Sequence, residues 1–118
     1  MHIPETIKSK HITKLSINDL VFLTLLKAQT KNEWLKFKDI QVRIMGVYAE
    51  RGFSEGYIKK NKYYATPTIS AAIRAIRNKK NRIAYDLPNF GEVIDKKKLE
   101  NSKAIVYKLI NLGVNYGN

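Results

Sequence analysis

The sequence predicts an α+β fold in which three helices precede a small antiparallel sheet with a long basic loop. Apolar residues recur at helical spacing up to residue 77, and they alternate, as in strands, after residue 82. The chain has 118 residues, of which 44% are hydrophobic, and this share is typical of one folded domain. It contains no cysteine, which excludes disulfides, thiolate zinc sites and cysteine nucleophiles.

The two ends of the chain carry little apolar periodicity. We predict a flexible basic arm at residues 1–14, which contains Lys8, Lys10 and Lys14. The folded domain is predicted at residues 15–112 and a short tail at residues 113–118. The first residues lack the charged-then-apolar order of a signal peptide. No apolar run approaches the roughly 20 residues that a membrane span needs, so we expect a cytoplasmic protein.

The first helix is predicted from Ser16 to about Gln29. Ser16 and Asp19 have the spacing of a helix N-terminus, where the hydroxyl accepts a backbone N–H and the carboxylate opposes the positive end of the helix dipole. The apolar residues of this helix are Leu20, Val21, Phe22, Leu23, Leu25 and Leu26. They cover most of its circumference, which indicates either a central core helix or a second apolar face used in dimerisation.

A short strand and a second helix come next. Residues 34–37 alternate briefly and predict the strand, with Trp34 in the core against the first helix. The second helix is predicted from Lys38 to Glu50 on the apolar stripe Ile40, Ile44, Val47 and Tyr48. Gly52 then suits the left-handed residue that follows a helix.

The third helix follows a predicted loop at residues 53–65. Thr66 is expected as its N-cap and Pro67 as its first residue, because the missing N–H of proline is not needed there. Its predicted buried stripe is Ile69, Ala72, Ile73 and Ile76. After Arg82, apolar residues alternate at 83–87 and again at 105–109, which predicts two antiparallel strands around a loop at 88–103.

The formal net charge of +12 is unevenly distributed. Residues 56–85, here called the acid-free segment, contain eight basic residues and no acidic one, and so supply two thirds of that net charge. Such a segment repels itself unless a polyanion neutralises it, which favours nucleic acid as the partner. The alternative is a solvated basic face. A membrane surface is less favoured, because large apolar residues do not alternate with these charges as in an interfacial helix.

The order of the predicted elements carries a resemblance to a known family. Over about residues 15–112 this order resembles the winged helix-turn-helix family: helix, short strand, helix, helix, strand, long basic loop and strand. The composition is similar to that of small viral and plasmid regulators. The best local match is residues 66–77 with the basic turn after them. The resemblance implies that this helix enters the DNA major groove and that the hairpin loop is the wing. The connection at 53–65 departs from the family, since it exceeds the three or four residues of a tight helix-turn-helix.

The face of the third helix opposite its apolar stripe holds the expected base-reading residues Ser70, Arg74, Arg77 and Asn78. Arg74 can fork onto guanine and Asn78 can pair with adenine; the alternative is an ordinary amphipathic helix with its polar face in water. Phosphate contacts are expected from Lys59, Lys60, Lys62, Thr68, Lys79, Lys80, Arg82, Lys96, Lys97 and Lys98. Together with the first lysines, Tyr57, Tyr63 and Tyr64 are expected to hold a nucleic-acid backbone or to stack on unpaired bases. For Tyr63 and Tyr64 the alternative is packing against the third helix.

We expect no enzyme, because the sequence has no Gly-rich phosphate loop, no nucleophile elbow and no H-E-x-x-H motif. A DNA-attacking tyrosine at position 63, 64 or 85 is the remaining enzymatic alternative. His2 and His11 have no clustered carboxylates or cysteines beside them, so we expect no metal, and we infer no cofactor or small-molecule ligand.

The expected function is sequence-specific binding of double-stranded DNA, with transcriptional regulation as the favoured role. We expect a homodimer on a palindromic site, built through the first helix or the C-terminal strand. A plasmid or viral replication or partition factor is an alternative within the DNA-binding class. Two further functions compatible with the basic segment are binding of RNA or single strands, and a winged helix that binds an acidic protein.

Overall fold

Helical segments precede a β-hairpin along the chain, which confirms the predicted α+β class. The computed structural model describes residues 3–11, 14–60 and 66–112. The elements are α1 (Glu5–Lys8), α2 (Ile17–Thr30), α3 (Phe37–Glu50), α4 (Glu55–Lys60), α5 (Thr66–Arg77), α6 (Lys79–Arg82), a 3-10 turn (Ile83–Tyr85), β1 (Ile94–Lys98) and β2 (Ile105–Leu109). The predicted count of three helices is wrong, because α1, α4 and α6 are short additional helices in these described ranges.

The central helix of the core is α2. The Ser16 hydroxyl accepts from the Asp19 N–H at 3.1 Å, and the Asp19 carboxylate accepts from the Ser16 N–H at 3.0 Å, so the predicted N-terminal box is confirmed. Residues around the whole helix are buried, among them Leu20, Phe22 and Leu25. The helix contacts α3, α5 and β2. Of the two predicted roles for this helix, the structure therefore supports the central core helix.

The helices α3 and α5 lie close to their predicted positions. Ile40, Ile44 and Tyr48 of α3 are buried, and Gly52 has the expected left-handed backbone at φ 88°. The whole predicted stripe of α5 is buried: Ile69, Ala72, Ile73 and Ile76. The helix begins at Thr66 itself, one residue before the predicted start.

The connection between α3 and α5 contains a helix where a loop was predicted. The Ser54 hydroxyl accepts from the Tyr57 N–H at 3.1 Å, as an N-cap does, and α4 follows. Phe53 stacks on Tyr57 with ring centroids 4.6 Å apart, and its ring meets Tyr48 of α3 edge-on at 5.3 Å. This aromatic cluster ties α4 to α3 and gives the long connection a defined structure.

The strand predicted at 83–87 is wrong. Asn78 has an extended backbone, and its side-chain oxygen accepts from the Lys80 N–H at 3.0 Å, which starts the one-turn helix α6. The 3-10 turn follows and ends at Asp86, which has φ 56°. Within it Tyr85 turns inward and stacks on Phe22 of α2 at 4.4 Å, whereas Ile83 is 76% exposed. The alternation of apolar residues at 83–87 therefore arises from a 3-10 turn and not from a strand.

The hairpin pairs β1 with β2 in an antiparallel register that places Ile94 opposite Leu109 and Lys96 opposite Tyr107. The second strand was predicted correctly, but the first lies inside the predicted loop at 88–103, so the actual turn spans only 99–104. The short strand predicted at 34–37 contributes one bridge, from Leu35 to Tyr107. Leu35 is buried and Trp34 is partly exposed, which corrects the placement of Trp34 in the core.

The described part of the predicted flexible arm packs against the domain. Ile7 of α1 is buried, the Thr6 hydroxyl donates to the Ala84 carbonyl at 2.5 Å, and Lys10 lies 3.0 Å from the buried Asp19 carboxylate. The tail predicted at 113–118 is outside the described residues. Where the chain is described, no helix is long and apolar enough to cross a membrane.

Candidate nucleic-acid interface

The outer face of α5 presents a short polar strip to solvent. Arg74 and Ala71 are exposed, Ser70 is partly exposed, and Arg74 Nη1 donates to the Ser70 hydroxyl at 3.2 Å. Ser70 and Ala71 are small, so another surface can approach the N-terminal half of the helix closely. The hydrogen bond aligns the Arg74 side chain along the helix face, and among the described residues it uses one of the five N–H donors of the guanidinium.

Asn78 does not continue this face. The helix α5 ends at Arg77, and Asn78 caps α6 with its amide oxygen on the Lys80 N–H. A two-point contact with adenine needs both the oxygen and the nitrogen of the amide. One acceptor position of the Asn78 oxygen is used by the cap, and Asn78 lies outside the helix that carries Ser70, Arg74 and Arg77, so its base-reading role stays a prediction.

Arg77 links α5 to the hairpin. Its Nη2 lies 2.9 Å from Glu92 Oε2, and Glu92 lies two residues before β1. Arg77 also acts on Tyr107 of β2: burial raises the pKa of Tyr107, and the positive charge of Arg77 opposes that rise. The ion pair therefore joins the end of α5 to the segment that leads into β1.

The lysines of the hairpin lie on two different faces. Residues directly opposite in an antiparallel pair share a face, so Lys96 lies with Tyr107 and Lys98 lies with Ile105. We call this side, which carries Tyr107, the inner face. Lys97 lies on the other side, with its ammonium group 4.3 Å from the centre of the Trp34 ring. Lys108 lies 5.7 Å from the same ring, so this outer face gathers two lysines around Trp34.

Arg82 corrects another expectation. It is only 4% exposed, and its guanidinium donates to the Arg77 carbonyl at 3.1 Å and to the Pro88 carbonyl at 3.2 Å. These bonds hold the end of α5 against the loop that leads to β1. The predicted phosphate contact of Arg82 is therefore wrong, because its charge is satisfied inside the protein.

The other predicted phosphate contacts fall into three groups. Exposed ones are Lys60, Lys79, Lys80, Lys96, Lys97 and Lys98. Thr68 is partly buried near the start of α5. The side chain of Lys59 and the whole of Lys62 are outside what the structure describes, as are Tyr63 and Tyr64. Tyr57 is partly buried in the aromatic cluster with Phe53, which favours packing over base stacking for this tyrosine.

Tyr85, one of the tyrosines considered as a nucleophile, is buried against α2. Its hydroxyl donates to the Asp19 carboxylate at 2.8 Å, and burial followed by this hydrogen bond raises its pKa above the ordinary value. A buried hydroxyl with a raised pKa is a poor nucleophile, so Tyr85 has a structural role. Among the described residues there is no group of three or more His, Cys, Asp or Glu side chains that could hold a metal ion.

Sequence reasoning missed Glu92 and Tyr107 as members of this surface. Each is an ordinary residue in the sequence, and only the hairpin register and the end of α5 bring both beside Arg77. The signal that pointed toward this part of the chain was the basic character of residues 96–98, from which phosphate contacts were predicted.

Comparisons with known proteins gave no match for this chain among protein-family models, curated proteins or solved structures.

Proposed function

We propose that this chain is a non-enzymatic, sequence-specific double-stranded DNA-binding protein with a winged-helix architecture, and that it acts as a transcriptional regulator. In this proposal α3, α4 and α5 form an extended helix-turn-helix, and α5 is the recognition helix. The hairpin of β1 and β2 is the wing. The bridge from Leu35 to Tyr107 stands where a third strand would pair with β2. Such a role places the protein in the cytoplasm with the DNA.

One observation carries the proposal: Arg77, the last residue of α5, forms an ion pair with Glu92 just before β1, which links the exposed face of α5 to the lysine-bearing hairpin. A duplex offers base edges flanked by two phosphate backbones, and this surface offers the complement. In this proposal Arg74, exposed on the helix face, reads a base, and the exposed Lys96 and Lys98 of the wing hold phosphates. The acid-free segment adds a field that attracts the duplex from a distance.

The test is fluorescence-anisotropy binding to a mixed-sequence duplex at several salt concentrations, with single-stranded DNA and RNA of the same sequence in parallel. We expect log K to fall steeply with log salt, with a slope that corresponds to on the order of 4–8 phosphate contacts. Duplex binding that is absent, or that barely responds to salt, would contradict the proposal. Tighter binding to the unpaired strands would favour a single-strand binder instead.

We also propose that two copies bind one palindromic site, because a single α5 with few base-reading residues offers limited specificity. The two surfaces expected to build the dimer are used within the chain: α2 is buried in the core, and β2 lies between β1 and the Leu35 bridge. A dimer therefore uses another surface. Sedimentation of the free protein and of its DNA complex tests this, and a monomer in both would refute it.

A further inference from the structure

The ion pair between Arg77 and Glu92 lies where α5 meets the hairpin. Arg77 is the last residue of α5, and its side chain is 36% exposed, whereas the Glu92 side chain is 63% exposed. The pair is thus open to solvent on the surface that we propose binds DNA. Glu92 contributes a negative charge at a position where a bound duplex would place a negatively charged phosphate.

The surroundings of this pair are those of an anion site. Tyr107 lies within the electrostatic reach of Arg77, and Lys96 shares a sheet face with Tyr107 because the two residues are directly opposite in the hairpin. Asp95 lies on the other sheet face, opposite Lys108, and its carboxylate accepts from the Lys96 N–H at 2.9 Å. Arg77 therefore acts electrostatically on the sheet face that carries Lys96, and Glu92 is the carboxylate paired with Arg77.

We propose that Arg77 is a phosphate-binding residue at the junction of α5 and the wing, and that the Glu92 carboxylate occupies its guanidinium in the free protein. The inference rests on the proposed function, since its ligand is a phosphodiester of the bound duplex. A carboxylate and a phosphate both accept paired N–H bonds from the fork of an arginine, so either fits Arg77. On binding, the phosphate displaces Glu92.

The exchange makes Glu92 a competitor of DNA. In the complex Glu92 no longer pairs with Arg77 and attracts a cation from solution. The net number of cations released on binding is therefore smaller than the number that the duplex itself releases. Glutamine at this position has nearly the same shape but no charge, so it neither holds Arg77 as strongly nor repels the phosphate. Glu92→Gln therefore strengthens DNA binding, and it does so most at low salt.

The experiment measures duplex affinity over a salt series for the wild type, Glu92→Gln and a matched control, Glu33→Gln. The control removes the same charge from an equally simple pair, since Glu33 lies 2.7 Å from Arg43 with both side chains partly exposed. Arg43 lines a groove of about 510 Å³ between α2 and α3, to which α5 and the hairpin contribute none of the described residues. The two variants thus have equal net charge and differ in which arginine is released.

We expect Glu92→Gln to bind the duplex about 2- to 5-fold more tightly at low salt, as expected for an exposed ion pair, with a salt slope steeper by up to about 0.9. Glu33→Gln is expected to change neither quantity by a comparable amount. Combining Glu92→Gln with Arg77→Gln should remove the gain, because the released arginine is then missing. All three positions are partly exposed, and circular dichroism verifies that each variant is folded.

The outcomes separate this inference from the proposed function. Equal gains in Glu92→Gln and Glu33→Gln, or a gain that survives the loss of Arg77, would overturn the junction site because net charge alone would explain them. An unchanged affinity in Glu92→Gln would overturn it as well, while leaving duplex binding by the wild type intact. Failure of the wild type to bind any duplex would overturn the proposed function and the site together.

Discussion

Arg74 and Arg82 lie eight residues apart in the same acid-free segment, yet the fold uses their charges in opposite ways. Arg74 projects from the exposed face of α5 and makes one hydrogen bond, to Ser70, along its own helix. Arg82 is buried and donates to two backbone carbonyls that belong to different parts of the chain. The guanidinium of Arg74 can donate hydrogen bonds to a ligand, whereas that of Arg82 already holds α5 against the loop before β1.

The comparison shows that the charge of a segment does not measure its charge at the surface. Both residues contribute equally to the net charge of the sequence, but only one of them contributes an exposed donor fork. A buried arginine needs its hydrogen bonds to remain in the fold, because an unpaired charge there would be strongly unfavourable. Four experiments separate the two uses of positive charge.

The largest effect is expected from Arg82→Ala on stability. The substitution leaves two carbonyls without their charged donor and opens space beside the end of α5, so we expect a loss of about 2–4 kcal/mol in the free energy of unfolding. Urea unfolding followed by circular dichroism measures it. Arg74→Ala is the control and should change stability by less than about 0.5 kcal/mol, as at most surface sites. Similar losses for both arginines would contradict the difference in burial.

The reverse order is expected for DNA. On a site selected from random sequence, Arg74→Ala should lose about 1–3 kcal/mol of binding free energy, and on random duplex it should lose little. Competition binding with the selected and a scrambled duplex gives both numbers. A loss of equal size on the two duplexes would mean that α5 holds phosphates without reading bases.

Tyr85 supplies a third test, because it is a buried residue with a polar hydroxyl group, three positions after Arg82. Tyr85→Phe removes the hydrogen bond to Asp19 and should cost about 1–2 kcal/mol at neutral pH. Burial raises the folded pKa of Tyr85, so the contribution of its neutral hydroxyl is fully present below the ordinary tyrosine value near 10 and is lost as the pH rises above it.

The stability difference between the wild type and Tyr85→Phe should therefore shrink when urea unfolding is repeated at alkaline pH. Taking the difference between the two proteins cancels the titration of the lysines that both share. A difference that stays constant up to about pH 11 would contradict the raised pKa of Tyr85.

The smallest effects are expected at the hairpin, where Lys97 and Lys96 are neighbours on opposite faces. Lys97→Ala removes the ammonium group over Trp34 and should cost about 0.5–1 kcal/mol in stability, whereas Lys96→Ala should not. For duplex binding we expect Lys96→Ala to flatten the salt slope more than Lys97→Ala does. The two variants have identical net charge, so equal slopes would mean that the faces of the hairpin are not distinguished by DNA.

Local signals in the sequence predicted the large helices well. The box of Ser16 and Asp19 and the apolar stripes of α3 and α5 depend on residues within a turn or two, and the structure confirms them. The helix α4 was missed because its stability comes from the contact of Phe53 and Tyr57 with α3, which a loop-like composition does not reveal. The exposed face of α5 followed directly from the same periodicity, so Arg74 was found.

The hairpin and the buried arginine depend on partners far along the chain. Four of the five residues of β1 are exposed, so their pattern has no apolar alternation, and their strand conformation comes from pairing with β2. At 83–87 the alternation was present, but a 3-10 turn gives the same pattern when Tyr85 packs inward. In the sequence Arg82 is indistinguishable from a surface charge, because the carbonyls that bind it become neighbours only after folding.

The position of Trp34 makes it an intrinsic fluorescence probe of the hairpin. The chain has a single tryptophan, and in the folded protein its ring lies under the ammonium group of Lys97, which is 63 residues away along the chain. An ammonium group near the ring alters the emission of the indole. Tryptophan fluorescence therefore reports the long-range contacts between the segment before α3 and the hairpin. It can time the closure of the hairpin onto the helical core during refolding without any attached dye.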